Sequence, residues 1–137
     1  MEGKVLQVTQ KNNWLQGVYR SPKASKLCKF KSSWELKVYQ WLDNCPLVKR
    51  WEAECIVIPY VLFGKSKRYY PDLLINGNLL IEIKPKNQLK TRMNLKKFEA
   101  AERFCVIRGW IFKVITKEMM TDSYLTEQVL NAVKKPL

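Results

Sequence analysis

Tyr70-Pro71-Asp72-Leu73-Leu74-Ile75-Asn76-Gly77-Asn78-Leu79-Leu80-Ile81-Glu82-Ile83-Lys84-Pro85 is the stretch on which the fold turns. Two short apolar runs flank Asn76-Gly77-Asn78, a strong hairpin signal, so residues 68–75 and 79–84 read as paired strands. Pro85 has no N–H to give a ladder and ends the second strand. Side chains alternate along a strand, so Glu82 and Lys84 share one face while Ile81 and Ile83 share the other. The tripeptide Glu-x-Lys is a weak signal by itself, since Glu2-Gly3-Lys4 and Glu35-Leu36-Lys37 repeat it. The first stands at a terminus, and the second lies on a predicted helix, where residues two apart diverge. Only Glu82-Ile83-Lys84 sits in a strand.

Aspartate is depleted in strands, yet of Asp43, Asp72 and Asp122 the middle one falls within a predicted strand. If the loop has three residues, Asn76 to Asn78, then Ile75 opposes Leu79 and the register sets Asp72 opposite Glu82. Their Cβ atoms would then lie roughly 5 Å apart, where like charges repel. A bound cation reverses that penalty, and carboxylate oxygens suit a hard ion such as Mg²⁺. A two-residue Asn-Gly turn, the commoner hairpin, would place Asp72 opposite Ile81 and on the other face from Glu82. The metal site therefore requires the longer loop or a bulge. Lys84 is placed to orient or deprotonate a water, or to stabilise charge on a phosphate.

Outward from the hairpin, Trp34, Val38, Trp41 and Leu42 follow helical spacing, and Pro46 should stop that helix near Asp43-Asn44. Residues 48–63 read as one strand, with a turn at Gly64-Lys65-Ser66-Lys67. Beyond a basic loop, Leu95, Phe98, Ala101 and Cys105 mark a second helix. Glu99 and Arg103 form a favourable pair on it, and Gly109 caps it. Residues 110–115 read as a buried strand and 122–135 as a closing helix. The order helix, three strands, helix, strand, helix predicts an α/β (α+β) domain with a mixed sheet, because its last strand is reached through a helical crossover. Residues 1–29 are polar and read as a basic N-terminal arm, leaving 30–137 as the folded domain.

The chain has 137 residues, one domain's worth, and its 25 Lys+Arg against 12 Asp+Glu give a net charge of +13. Such a field favours a polyanion, most simply nucleic acid. No histidine is present, which excludes Ser-His-Asp hydrolysis, His-liganded zinc and any histidine base. Cys28, Cys45, Cys55 and Cys105 never form Cys-x-x-Cys and read as single buried thiols in a reducing compartment. Met1-Glu2-Gly3-Lys4-Val5 lacks the apolar run of a signal peptide, and no segment is long and apolar enough to span a bilayer, so a cytoplasmic protein with no membrane partner is expected.

Glu35 is a candidate third carboxylate at the edge of the first helix's apolar face. Ser32-Ser33-Trp34-Glu35 is equally a capping box, with Glu35 reaching back to the first turn. Glu52 and Glu54 are lesser substitutes.

Pro71-Asp72 followed by Glu82-Ile83-Lys84 resembles the motif of the PD-(D/E)xK nuclease superfamily, and the element order resembles its restriction-endonuclease-like αβββαβ core over residues 30–116. Closer similarity is to TnsA-type transposon endonucleases and tailed-phage head-completion nucleases. Ser33-Trp34-Glu35, Tyr69-Tyr70-Pro71-Asp72, Ile81-Glu82-Ile83-Lys84-Pro85 and Arg108-Gly109-Trp110-Ile111-Phe112 carry it. The resemblance implies metal-dependent hydrolysis of DNA that leaves a 5′-phosphate and a 3′-hydroxyl. One or two Mg²⁺, with Mn²⁺ as substitute, would be held by Asp72, Glu82 and the Ile83 carbonyl, and by Glu35, which falls where such families place a metal-binding or water-positioning glutamate on the first helix. Lys84 would contact the attacking water or the scissile phosphate, and Gln88 would face the site.

Lys65, Lys67 and Arg68 rim the expected site from one side, and Lys86, Lys90, Arg92, Lys96 and Lys97 from the other. Such clusters suit backbone tracking along DNA, which is sequence-independent and salt-sensitive. Lys23, Lys26, Lys29 and Lys31 form a third cluster, and Trp14, Tyr19 and Trp51 offer rings for stacking on bases, Trp51 more as a buried anchor. No base-reading motif is present, so selection by DNA structure or by a phage or transposition partner is expected. Alternatives are a Holliday-junction resolvase, which would need a homodimer, and a non-catalytic DNA-binding or structural accessory protein of a phage particle.

Overall fold

The computed structural model describes residues 2–11 and 14–134 as a mixed α/β fold. In chain order its elements are β1 (Lys4–Lys11), β2 (Trp14–Arg20), β3 (Cys28–Phe30), α1 (Ser33–Asn44), β4 (Trp51–Ala53), β5 (Ile58–Leu62) and β6 (Lys65–Tyr69). They continue with β7 (Leu73–Ile75), β8 (Leu79–Lys84), α2 (Arg92–Arg108), β9 (Ile111–Thr116) and α3 (Asp122–Lys134). Residue 135, expected to end the last helix, lies outside the described residues. Among the described residues no helix is long and apolar enough to cross a membrane. The chain divides into two compact units, Met1–Glu52 and Ala53–Leu137.

In the first unit the expected arm is instead antiparallel sheet in the order β1-β2-β3. From Lys4 to Thr9 the side chains of β1 are all exposed, Val5, Leu6 and Val8 among them, so no buried stripe betrays the strand. The α1 helix falls in the same compact unit as these strands. Tyr39 stacks on Tyr19 at 5.9 Å and on Trp51 at 5.0 Å between ring centroids. Asp43, at the end of α1, accepts from the Tyr19 and Ser21 hydroxyls and from the Trp51 indole N–H. Tyr19 and Trp51 are thus buried anchors rather than stacking faces; the Trp14 side chain lies outside the described residues. Ser32 caps the start of α1, and Cys45 leaves the helix in extended geometry, as a residue before proline should.

The second unit holds more strands than expected. Residues 48–63 do not run as one strand: Glu54 takes a left-handed φ of 50°, and pairing resumes only at Ile58. The next turn is Phe63-Gly64 rather than the residues after it, because Leu62 pairs with Lys65. Both turn residues have positive φ, 51° and 74°, as a two-residue type I′ turn requires. A side chain in that region costs on the order of 1 kcal/mol. Residues 68–75 are likewise split, since Pro71 offers no N–H to a ladder and β6 stops at Tyr69.

The deciding hairpin has the three-residue loop: Ile75 pairs with Leu79, Leu74 with Leu80 and Leu73 with Ile81. Asn76 and Gly77 both take left-handed geometry, and the Asn78 N–H returns to the Ile75 carbonyl. The β8 strand then pairs parallel with β9, Glu82 against Val114 and Lys84 against Thr116, after the crossover through α2. Thr91 caps the start of α2, and Gly109 caps its end with a φ of 71°. Leu80 and Phe112 from the sheet pack with Ile58, Tyr60 and Tyr69 of the β5-β6 hairpin and with Ala100, Ala101 and Cys105 of α2. Cys28, Cys45 and Cys105 are buried as expected, whereas Cys55 is exposed.

Candidate active site

Period-two alternation puts Leu80, Glu82 and Lys84 on one face of β8, and Leu80 belongs to the core beneath α2. Continuing the hairpin register one step past Leu73 and Ile81 sets Asp72 opposite Glu82. The two carboxylates are therefore neighbours on the α2 side of the sheet. Each holds the other's strand: the Ile83 N–H donates to Asp72 Oδ2 at 2.7 Å, and the Asp72 N–H donates to Glu82 Oε1 at 3.2 Å. Where Pro71 breaks the ladder, side-chain oxygens take the main-chain donors instead. The Asp72 carbonyl in turn accepts the Glu54 N–H at 3.0 Å.

Glu82 is 3% exposed, set between Asp72 and Val114, and its Oε2 lies 3.3 Å from the Lys84 ammonium. Burial raises the affinity of Glu82 for a proton, opposed first by Lys84. Burial, then the charge of Glu82, pushes Asp72 up to about 7, against the Ile83 hydrogen bond and Lys84. Both groups are thus poorly supplied with positive charge. A hard divalent cation corrects that deficit, and the donors present, two carboxylates with the Ile83 carbonyl beside them, are oxygen ligands of the right kind.

A second cation reaches this spot from α2. Lys97 places its ammonium 5.4 Å from the Tyr69 ring centroid. Burial and Lys84 lower its proton affinity, while Glu82 and Asp72 act to restore it. The Tyr69 hydroxyl is buried against Glu82, short of strict hydrogen-bonding geometry with any group among the described residues. It lies close enough to Glu82 for the carboxylate's charge, after burial, to hold its proton on. From sequence Lys97 reads as one of the outer DNA contacts and Tyr69 only as part of the Tyr69-Tyr70-Pro71-Asp72 stretch, with no role of its own. Its place two residues before Pro71 was the available signal.

Glu35 lies in the first unit. Its N–H donates to Ser32 Oγ at 3.2 Å, and its Oε2 accepts the Lys31 N–H at 2.9 Å. These are the contacts of the expected helix cap. Among the described residues no group of three or more His, Cys, Asp or Glu side chains gathers to hold a metal, so Asp72 and Glu82 stand as a pair, with the charge of Glu54 felt at Asp72. Gln88 has an exposed side chain, and its carbonyl accepts from Asn94 Nδ2 at 2.7 Å, tying the loop after β8 to α2. Lys65, Lys67, Arg68, Lys86, Lys90, Arg92 and Lys96 are all exposed. Lys23 instead donates to the Leu42 and Cys45 carbonyls at 3.0 and 2.9 Å, which makes it a cap for α1.

Residues 45–117 match the family model described as TnsA-like endonuclease N terminal, a span that contains Asp72, Glu82, Lys84 and Lys97. The chain is also similar to the head completion nuclease of Enterobacteria phage T4, at 29% identity over 65% of this chain and 78% of that protein.

Proposed function

The chain belongs to the TnsA-like endonuclease N-terminal family, and from that premise we propose that it is a metal-dependent endonuclease that hydrolyses DNA phosphodiester bonds at Asp72, Glu82 and Lys84. The observation that carries this reading is the reciprocal clasp of Asp72 and Glu82, two carboxylates held side by side where burial disfavours their charges. Asp72, Glu82 and the Ile83 carbonyl would hold Mg²⁺, or Mn²⁺ in its place. A pair of carboxylates suits one ion, since Mg²⁺ keeps several waters and takes phosphate oxygens. When bound, the ion supplies Lewis acidity toward the phosphate and a more acidic water.

The protein's own groups do the rest. The clasp fixes both carboxylates without a mobile loop, so little reorganisation is left for the reaction itself. Lys84, resting on Glu82 at 3.3 Å, is near enough to donate to a phosphate oxygen or to the attacking water. Lys97 adds positive charge above Tyr69, where negative charge gathers as the bond to the leaving oxygen breaks. The products would be a 5′-phosphate and a 3′-hydroxyl. The exposed lysines and arginines of β6 and the start of α2 would track the backbone, giving affinity without sequence reading. A role in DNA processing during phage head completion is supported by the likeness to a phage head completion nuclease.

The test is cleavage of supercoiled, linear, flapped and four-way-junction DNA in Mn²⁺ and Mg²⁺ by the wild type and by Glu82→Gln. Metal-dependent nicking by the wild type alone supports the reading. Nicking by neither, with salt-sensitive binding kept, would leave a DNA-binding module instead.

A further inference from the structure

The tip of the β5-β6 hairpin carries a residue that turn chemistry does not favour. Type I′ turns place both central residues at positive φ and select Asn, Asp or Gly there; this chain has Phe63 at 51°, with its side chain 74% exposed. An aromatic ring held out in solvent on a strained backbone contributes nothing to the core. The Arg92 guanidinium stacks over that ring at 5.0 Å from its centroid. Val61, on the same side of β5, is exposed as well. Lys65, Lys67 and Arg68 follow on β6. Between residues 55 and 98 the only acids are Asp72 and Glu82, both at the site already described. Glu99, in the groove beside Val61, is already paired with Arg103, so an apolar ring among unpaired cations suits a nucleobase attached to its phosphate.

We propose that Phe63, backed by Arg92, stacks on an unpaired base, so that the substrate is DNA with an accessible base face, such as a flap or single-stranded end, rather than intact duplex. This deepens the nuclease reading and rests on it. Lys65 and Tyr69 stand four residue steps apart along β6, about 13 Å at ~3.3 Å per step. The base so held would stand about four steps of ~3.4 Å from the site beside Glu82.

The experiment measures binding in EDTA to duplex, 5′-flapped and single-stranded oligonucleotides carrying 2-aminopurine at the unpaired positions, for the wild type, Phe63→Asn and Phe63→Trp. Asn suits the turn, so Phe63→Asn should melt at or above the wild-type temperature and a folding defect will not confuse the outcome. Expected is tighter wild-type binding to flapped and single-stranded DNA than to duplex, with 2-aminopurine quenched. Phe63→Asn should lose about 5- to 150-fold on those two DNAs and little on duplex, with Phe63→Trp retaining the preference. Equal wild-type affinity for all three DNAs, or unchanged affinity and quenching in Phe63→Asn, overturns the proposal and leaves the tip to a protein contact. Because binding is read without metal, a wild type that never cleaves would defeat the nuclease reading without touching this result, and the reverse also holds.

Discussion

Asp72, just ahead of β7, accepts the Ile83 N–H of β8 at 2.7 Å, and Glu82 on β8 accepts the N–H of Asp72 at 3.2 Å. The arrangement fixes two negative groups against each other, and their neutral isosteres keep the acceptor oxygens while removing the repulsion. Asp72→Asn and Glu82→Gln should therefore raise the melting temperature of the metal-free protein by about 2–8 °C, on the order of 1 kcal/mol. Both should lower metal-dependent cleavage by about 100-fold or more while leaving DNA affinity within about twofold. Calorimetry and a plasmid-nicking assay check the two halves.

The same pair dictates an unusual response to pH. Asp72 is pushed up to about 7 by burial and by Glu82, and Glu82 is shifted upward by burial. Lys84 and Lys97 face the pair and oppose the shift, while Glu54 adds to that of Asp72. A carboxyl whose folded value is raised binds its proton more tightly folded than unfolded, so stability falls as pH rises from about 4 to about 7. In EDTA the protein should be more stable near pH 5 than near pH 7.5, by a few kcal/mol at most. Millimolar Mn²⁺ at the higher pH should recover the difference. Denaturant melts across that range, with and without metal, provide the check.

Much of this site was legible from residues 70–85, because a proline, a three-residue Asn-Gly-Asn loop and period-two alternation fix which face each side chain takes. The loop length itself was not, since two- and three-residue hairpins share the Asn-Gly signal and only pairing distinguishes them. Strand breaks at Glu54 and Pro71 were missed because apolar β-branched runs continue through or beside them. The β1-β2 strands were missed for the opposite reason, as β1 buries none of its described side chains and β2 fully buries Tyr19 alone among its own. Lys97 and Tyr69 meet the acids only through the packing of α2 on the hairpin, a tertiary contact that composition does not encode.

Lys23 tests the reassignment of the N-terminal region. Its ammonium donates to two carbonyls at the end of α1, so Lys23→Met should destabilise the protein by about 1–3 kcal/mol. The salt dependence of DNA binding should not change. A loss of affinity without loss of stability would return Lys23 to the DNA-binding surface.

The exposed cations of β6 and α2 should behave as phosphate contacts. Lys67→Ala and Lys96→Ala should weaken binding to every sequence alike, and each should reduce the slope of log K against log salt by about 0.9. Fluorescence anisotropy between 50 and 200 mM salt, an interval over which such contacts matter, reads this directly.

Mn²⁺ binding to the metal-free protein, followed by electron paramagnetic resonance at pH 8, tests the shared-ion account most directly. One ion per wild-type chain, with none retained by Asp72→Asn or by Glu82→Gln, is the outcome expected of two carboxylates that act together. Undiminished binding by either isostere, or DNA cleavage by the wild type in EDTA, would contradict it.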